Sequence, residues 1–137
     1  MKNRLFVTFA LVALMPMIAY AGAAQKPIID SYLAAAKAEN AAFSGFSAER
    51  GKTFFLAKHD ASADTPSCTT CHTADPTKAG QSRAGKEIAP MAVSKTPDRF
   101  TDAEKVEKWF TRNCQSVLGR ACTAQEKGDF ITFMSSL

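Results

Sequence analysis

The spacing of apolar positions along the chain predicts helices and no sheet. In four segments apolar residues recur every three or four positions, as on one face of a helix, and no segment shows the apolar–polar alternation of a half-buried strand. The first two helices are predicted at about residues 28–42 and 47–58. A third begins near Thr101, and the last begins near Thr123. The predicted fold class is all-α.

Local sequence marks where three of these helices begin. Ser47 is a good N-cap, and Glu49 places a negative charge in the first turn of the helix that follows. Thr101 and Thr123 each precede a glutamate by three residues, which is the spacing of a capping box. We therefore expect Thr101 and Thr123 to cap the last two helices.

The faces of these helices indicate how they pack. Gly51 lies on the second helix, and the last helix has an apolar face made of Phe130, Phe133, Met134 and Leu137. A glycine opposite large side chains predicts a close helix crossing. The third helix carries Val106, Trp109, Phe110 and Asn113 on one face. Residues 73–100 show little periodicity, and wrapping a cofactor would explain so long a connection.

The N-terminus resembles an export signal. Residues 1–4 carry two positive charges, residues 5–20 are mostly apolar, and Ala19-Tyr20-Ala21 fits a cleavage site. Cleavage is expected after Ala21, with Ala24 as the second choice, although an uncleaved membrane anchor stays open. The predicted organisation is a signal peptide (1–21), an N-terminal helical extension (22–45) and one domain (46–137). The mature protein is expected in the periplasm, without stable membrane insertion.

Removal of residues 1–21 leaves 116 residues and takes away Lys2 and Arg4. The remaining 15 basic and 13 acidic residues give a net charge of +2. This charge is too small to indicate nucleic-acid binding.

Cys68-Thr69-Thr70-Cys71-His72 is the most specific motif in the chain. Cys-x-x-Cys-His attaches haem covalently through its two thiols, and the imidazole ligates the iron. A thioredoxin-like site would follow a strand, and none is predicted before Cys68. A zinc site would need a second ligand pair, for which only the widely spaced Cys114 and Cys122 are candidates. A strained disulfide within the motif also stays open. The motif therefore predicts one covalently attached haem c.

Three segments of the chain resemble class I cytochrome c. They are Gly51-Lys52-Thr53-Phe54-Phe55, the Cys-x-x-Cys-His motif and Asp129-Phe130-Ile131-Thr132-Phe133. Residues 46–137 more closely resemble the sphaeroides haem protein family of oxygen- and nitric-oxide-binding cytochromes, to which cytochrome c'' is related. Two segments carry this resemblance: Lys108-Trp109-Phe110-Thr111-Arg112-Asn113-Cys114 and Leu118-Gly119-Arg120-Ala121-Cys122-Thr123. It implies a class I cytochrome c-like fold that follows an N-terminal helical extension.

The resemblance also implies roles at the haem. Pro90 would accept a hydrogen bond from Nδ1 of the iron-bound His72, and Trp109 would contact the haem. Asn113 matches the asparagine that ligates iron opposite the histidine in the sphaeroides haem protein family. Met91, Met134 and His59 are other candidate ligands, with His59 expected at the end of the second helix. Asn113 could instead cap the third helix.

Cys114 and Cys122 are expected to form a disulfide, because an oxidising compartment permits it and the other two cysteines are committed to haem. The bond would staple the turn before the last helix and position Asn113. A redox-active role stays open.

These features predict that Asn113 binds the haem iron reversibly. An amide oxygen is a hard ligand that suits ferric iron better than ferrous iron, so reduction would release Asn113 and let oxygen or nitric oxide bind. The resemblance implies reduction by a protein partner, a dihaem c-type cytochrome. The alternatives are an ordinary electron carrier with methionine ligation and an enzyme that activates oxygen or peroxide. Sequence supports the enzyme weakly, because a distal histidine is missing unless His59 supplies it.

Overall fold

The structure is a computed structural model that describes residues 22–137, so the predicted signal segment lies outside the described residues. It contains five helices and a two-stranded ladder: α1 Lys26–Glu39, α2 Ala48–Leu56, α3 Thr69–His72, β1 Gly80–Gln81, β2 Glu87–Ile88, α4 Ala103–Leu118 and α5 Ala124–Ser135. The all-α prediction is confirmed. Within the described residues, every helix is too short or too polar to cross a membrane.

The crossing of α2 and α5 forms the centre of the fold. A Cβ atom at Gly51 would lie 2.0 Å from the carbonyl oxygen of Asp129, so only glycine permits this approach. Asp129 is 3 % exposed. Its carboxylate accepts hydrogen bonds from the Ser47 N–H (2.6 Å) and from Nε of Arg50 (2.7 Å). The close crossing predicted from Gly51 is confirmed.

Helix α1 packs into the same core. Its Ile28 and Tyr32 belong to the main cluster of buried residues, beside Phe110 and residues of α5. The Tyr32 hydroxyl donates to Glu107 of α4, and burial together with this hydrogen bond raises the pKa of Tyr32 far above its usual value. Lys127 of α5 also binds Glu107, at 2.8 Å. The segment predicted as an N-terminal extension therefore contributes directly to the packing of the domain.

Helix starts were predicted with mixed success. The caps at Ser47 and Thr123 are confirmed, the second as a complete capping box with Glu126. The prediction for Thr101 is wrong. Asp102 caps α4 by accepting from the Lys105 N–H, so the helix begins one residue later than the Thr-to-Glu spacing suggested. Aspartate caps helices as well as threonine does, and the two candidates are adjacent in sequence.

Two helix ends also differ from the prediction. Helix α1 runs from Lys26 to Glu39 rather than over 28–42, and extended backbone at Asn40 ends it. Helix α2 stops at Leu56 rather than at residue 58, because Ala57 is extended. Apolar periodicity is weak at helix ends, so the sequence locates these boundaries only approximately.

The connection between residues 73 and 100 contains the ladder, which the sequence did not predict. Gly80 pairs with Ile88 and Gln81 with Glu87 in antiparallel register. The chain reverses through Gly85, whose φ of 77° favours glycine. Strands of two residues are too short to show alternation. The ladder matters because β1 lies directly against α3.

Candidate functional site

The Cys-x-x-Cys-His motif forms a single helical turn, α3. The Ser67 hydroxyl oxygen accepts from the Thr69 N–H at 3.3 Å, and the turn continues to His72. Thr73 then adopts a positive φ of 61° and ends the turn. Cys68 and Cys71 are three residues apart, so both lie on one side of the turn, and both are free thiols. This geometry suits attachment of one group through two bonds.

The environment of the turn keeps His72 neutral. Burial and the positive charge of Arg99 lower the pKa of His72 to about 4, and burial raises the pKa of the Cys68 thiol to about 11. A neutral imidazole is the form that binds a metal. Nδ1 of His72 is buried and has no hydrogen-bond partner among the described residues. The turn therefore offers two unpaired thiols and an available imidazole, which fits haem c.

The hydrogen bond expected between His72 and Pro90 is not formed in this structure. The Pro90 carbonyl instead accepts from the Thr96 hydroxyl (2.9 Å) and from Nε of Arg99 (3.2 Å). A carbonyl oxygen has two lone pairs, so both acceptor positions are in use. Sequence reasoning missed Thr96 and Arg99, because neither belongs to a motif or to a periodic segment.

Gly80 is a third residue that sequence reasoning missed. A Cβ atom there would lie 2.1 Å from the carbonyl oxygen of Cys71 and 3.0 Å from Cα of His72. The backbone of β1 therefore packs directly against the backbone of the attachment turn. A glycine eight residues after the motif was the only available signal, and nothing in its sequence neighbourhood distinguished it.

Asn113 lies within α4 rather than at its end. The helix continues to Leu118, and Gly119 in the left-handed conformation ends it, with its N–H bonded to Gln115. The capping role that the sequence left open for Asn113 is therefore wrong. On a regular helix Asn113 lies about 20° from Val106. Val106 is buried, whereas Asn113 is exposed.

Trp109 shares this face of α4 with Asn113, because the two residues are four apart. The Trp109 side chain is 46 % exposed, and the guanidinium of Arg112 lies 5.2 Å from its ring centroid. Trp109 and Asn113, both exposed, therefore lie beside the buried residues of α4, so this face combines an apolar ring with an amide side chain. This arrangement fits a flat apolar cofactor.

The C-terminal end of α4 is attached to two other segments. Cys114 and Cys122 have their sulfur atoms at bonding distance, 1.95 Å, as predicted for a disulfide. The Thr65 hydroxyl donates to the Ser116 carbonyl at 3.2 Å. Thr65 lies in the loop that leads into the attachment turn. The disulfide at Cys114 and the hydrogen bond at Ser116 therefore fix the part of α4 that carries Asn113.

The other candidate ligands occupy different environments. Met134 is 0 % exposed in the core of α5, and its carbonyl accepts from the Val93 N–H. Met91 is buried in the same cluster, and its N–H bonds to Pro76, four residues after His72. The sequence suggested that His59 ends α2, but the helix ends at Leu56. His59 lies in the following loop, where its N–H bonds to Pro66 and its Nε2 is buried without a described partner.

Comparison with known proteins identifies relatives of this chain. A family model described as a domain of unknown function, DUF1924, matches residues 41–134. The chain is 57 % identical over 99 residues to the cytochrome c-type protein SHP of Cereibacter sphaeroides, covering 72 % of this chain and 77 % of that protein. It is 36 % identical over 109 residues to cytochrome c'' of Methylophilus methylotrophus, covering 78 % and 76 %.

Solved structures agree. Oxidized SHP, described as an oxygen binding cytochrome c, matches with a TM-score of 0.76 at 51 % identity, over 82 % of this chain and 96 % of that one. The solution structure of cytochrome c'' matches with a TM-score of 0.70 at 33 % identity, over 82 % and 93 %.

The helical fold and the attachment turn therefore define a c-type cytochrome, and its relatives imply covalently bound haem c. The chain belongs to the family of SHP, the sphaeroides haem protein, to which cytochrome c'' is related.

Proposed function

We propose that this protein is a periplasmic cytochrome with a single haem c, in which His72 and Asn113 ligate ferric iron and Asn113 detaches on reduction. The ferrous protein then binds small gases such as oxygen and nitric oxide. The observation that carries the proposal is the position of Asn113. It lies five residues before the end of α4, exposed, on the same face as Trp109, where a capping role does not account for it.

Haem attached at the Cys68–His72 turn would supply an iron that changes oxidation state and accepts a ligand from the protein. Asn113 offers its side-chain oxygen, a neutral hard donor, to ferric iron, and it holds the softer ferrous ion poorly. Once released, the amide N–H groups of Asn113 would be available as hydrogen-bond donors to a bound gas. His72, held in the attachment turn, stays bound in both oxidation states.

The relatives support this function. SHP is described as an oxygen binding cytochrome c, and the solution structure of cytochrome c'' is described in terms of haem-ligand detachment. A protein partner would supply the electron, and the resemblance favours a dihaem c-type cytochrome. Exposed lysines, Lys52 and Lys58 among them, would supply the positive charge for docking an acidic partner.

Absorption spectra of the ferric and ferrous protein, with and without carbon monoxide, test the proposal. We expect the ferrous protein to bind carbon monoxide. Asn113→Ala should change the ferric spectrum and retain carbon monoxide binding, since ferrous iron is already open. Gln115→Ala removes another exposed amide from α4 and should change neither spectrum. A ferrous protein that does not bind carbon monoxide would contradict the proposal. A ferric band of iron-bound methionine would instead favour an electron carrier.

A further inference from the structure

The short segment before α1, residues 22–25, is part of the folded domain. It forms a turn in which the Gln25 N–H donates to the Gly22 carbonyl at 3.2 Å. Gln25 is 1 % exposed, and its Nε2 donates to the carbonyls of Pro97 at 3.0 Å and Arg99 at 2.7 Å. Because Gln25 is buried and bonded to a distant segment, the turn that begins at Gly22 is held against the domain.

Gly22 lies against the last turn of α5. A Cβ atom at Gly22 would lie 3.4 Å from Cβ of Ser135 and 3.9 Å from its Oγ. The backbone nitrogen of Gly22 is bonded to the same Cα, so it also lies near the Ser135 hydroxyl.

The Ser135 hydroxyl is suited to receive a cation. Its oxygen is buried and has no hydrogen-bond partner among the described residues, and a buried polar atom in that state is costly. Ser135 is also the last residue of α5, and the last turn of this helix contains no basic residue. The helix dipole favours a positive charge at this end. A cation that donates hydrogen bonds would therefore satisfy both the hydroxyl and the dipole.

We infer that the α-ammonium group of Gly22, which cleavage after Ala21 creates, binds at this end of α5 and donates to the Ser135 hydroxyl. Hydrolysis of the Ala21–Gly22 peptide bond consumes one water and leaves a carboxylate on Ala21 and an ammonium group on Gly22. An ammonium group has a full charge and three N–H donors, whereas the peptide nitrogen that it replaces has one donor and no charge. The inference rests on the export that we propose for this chain, and it holds whether or not Asn113 ligates the iron.

Cleavage after Ala24, the second choice from the sequence, would not provide this contact. It would remove Gly22 and place the new ammonium group on Gln25, which is 1 % exposed. Burial of a charge without a partner is unfavourable. The packing of residues 22–25 therefore favours cleavage after Ala21.

The test uses the ferric holoprotein purified after export. N-terminal sequencing should give Gly22 as the first residue. Melting temperatures are then compared for wild type, Ser135→Ala and Ser44→Ala, the last of which removes an exposed hydroxyl. If Ser135 accepts from the ammonium group, Ser135→Ala should melt roughly 4–8 °C below wild type. A hydroxyl without a partner predicts the opposite sign, because its removal is neutral or stabilising and alanine favours helices. Ser44→Ala should melt with wild type.

Acetylation of the α-amino group removes its charge in the wild-type protein itself. Near neutral pH this amine, with an ordinary pKa of about 7.7–8.0, reacts ahead of lysine, whose pKa is about 10.4. Peptide mass spectrometry identifies the modified residue. Acetylation should lower the melting temperature of wild type by roughly the same 4–8 °C and should have little further effect on Ser135→Ala.

Three results would overturn the inference. They are a melting temperature of Ser135→Ala equal to or above that of wild type, an acetylation effect of the same size in both proteins, and a mature chain that does not begin at Gly22. Each would leave carbon monoxide binding by the ferrous protein unaffected, so failure of this inference is distinguishable from failure of the proposed function. Should Ser135→Ala fail to fold, an unchanged melting temperature of acetylated wild type would by itself overturn the inference.

Discussion

Substitution of Gly80 by alanine perturbs the attachment turn without changing any residue of the motif. The added Cβ would lie 2.1 Å from the Cys71 carbonyl oxygen, and real Cβ atoms essentially never come closer than 3.0 Å. The strand must therefore move by at least about 0.9 Å. The nearest atoms are backbone atoms of Cys71 and His72, so a rotamer change cannot relieve the contact. Overpacking of this kind costs about 1–3 kcal/mol.

Thermal unfolding of the ferric holoprotein measures this cost. For a domain of this size about 1 kcal/mol corresponds to roughly 4 °C, so Gly80→Ala should melt roughly 4–12 °C below wild type. Its ferric absorption spectrum should also change, because the shift reaches His72. Gln81→Ala, at the exposed next position of β1, should change stability by no more than about 0.5 kcal/mol. Equal melting temperatures for Gly80→Ala and wild type would refute the close contact between β1 and the turn.

Three further predictions concern the scaffold. Gly51→Ala places a Cβ 2.0 Å from the backbone of α5, and urea unfolding should show a loss of about 3 kcal/mol; a neutral result would contradict the crossing. Replacing Cys114 and Cys122 with serine should lower the unfolding free energy by about 2.5 kcal/mol, by the chain-entropy estimate, and an unchanged value would argue against the disulfide as a staple. The hydrogen bond from Arg120 lowers the pKa of Glu126, so its contribution is present above the unfolded pKa of about 4.3 and is lost as pH falls through the lower folded value. The stability advantage of wild type over Glu126→Gln, at most about 1 kcal/mol at neutral pH, should vanish in acid once Glu126 is protonated in the folded protein; a difference that stays constant in acid would contradict the pairing.

Features that depend on local sequence could be predicted. The attachment turn, the cap at Ser47 and the capping box at Thr123 follow from a few adjacent residues. The crossing at Gly51 was predictable because the glycine on α2 and the apolar face of α5 can each be recognised in the sequence. Adjacent caps at Thr101 and Asp102 were not resolved, because both residues cap well and only the fold selects one.

Features that depend on contacts distant in sequence could not be predicted. The approach of Gly80 to Cys71 requires a hairpin with two-residue strands, which leave no periodic signal. Arg99 and Thr96 satisfy the Pro90 carbonyl only because the chain folds back after β2. Asn113 was different. Its residue type and its position on the same helix face as Trp109 made it a candidate ligand from sequence alone. The structure adds that α4 continues past Asn113 to Leu118.

The central claim is that a side-chain amide ligates ferric iron and leaves on reduction. Iron K-edge X-ray absorption of the holoprotein in both oxidation states tests it most directly, because it counts the light and sulfur atoms bound to the metal. We predict a nitrogen or oxygen ligand from Asn113 in the ferric protein, in addition to His72 and the porphyrin, and one ligand fewer in the ferrous protein. A sulfur neighbour at the iron, or an unchanged ligand number after reduction, would contradict the account.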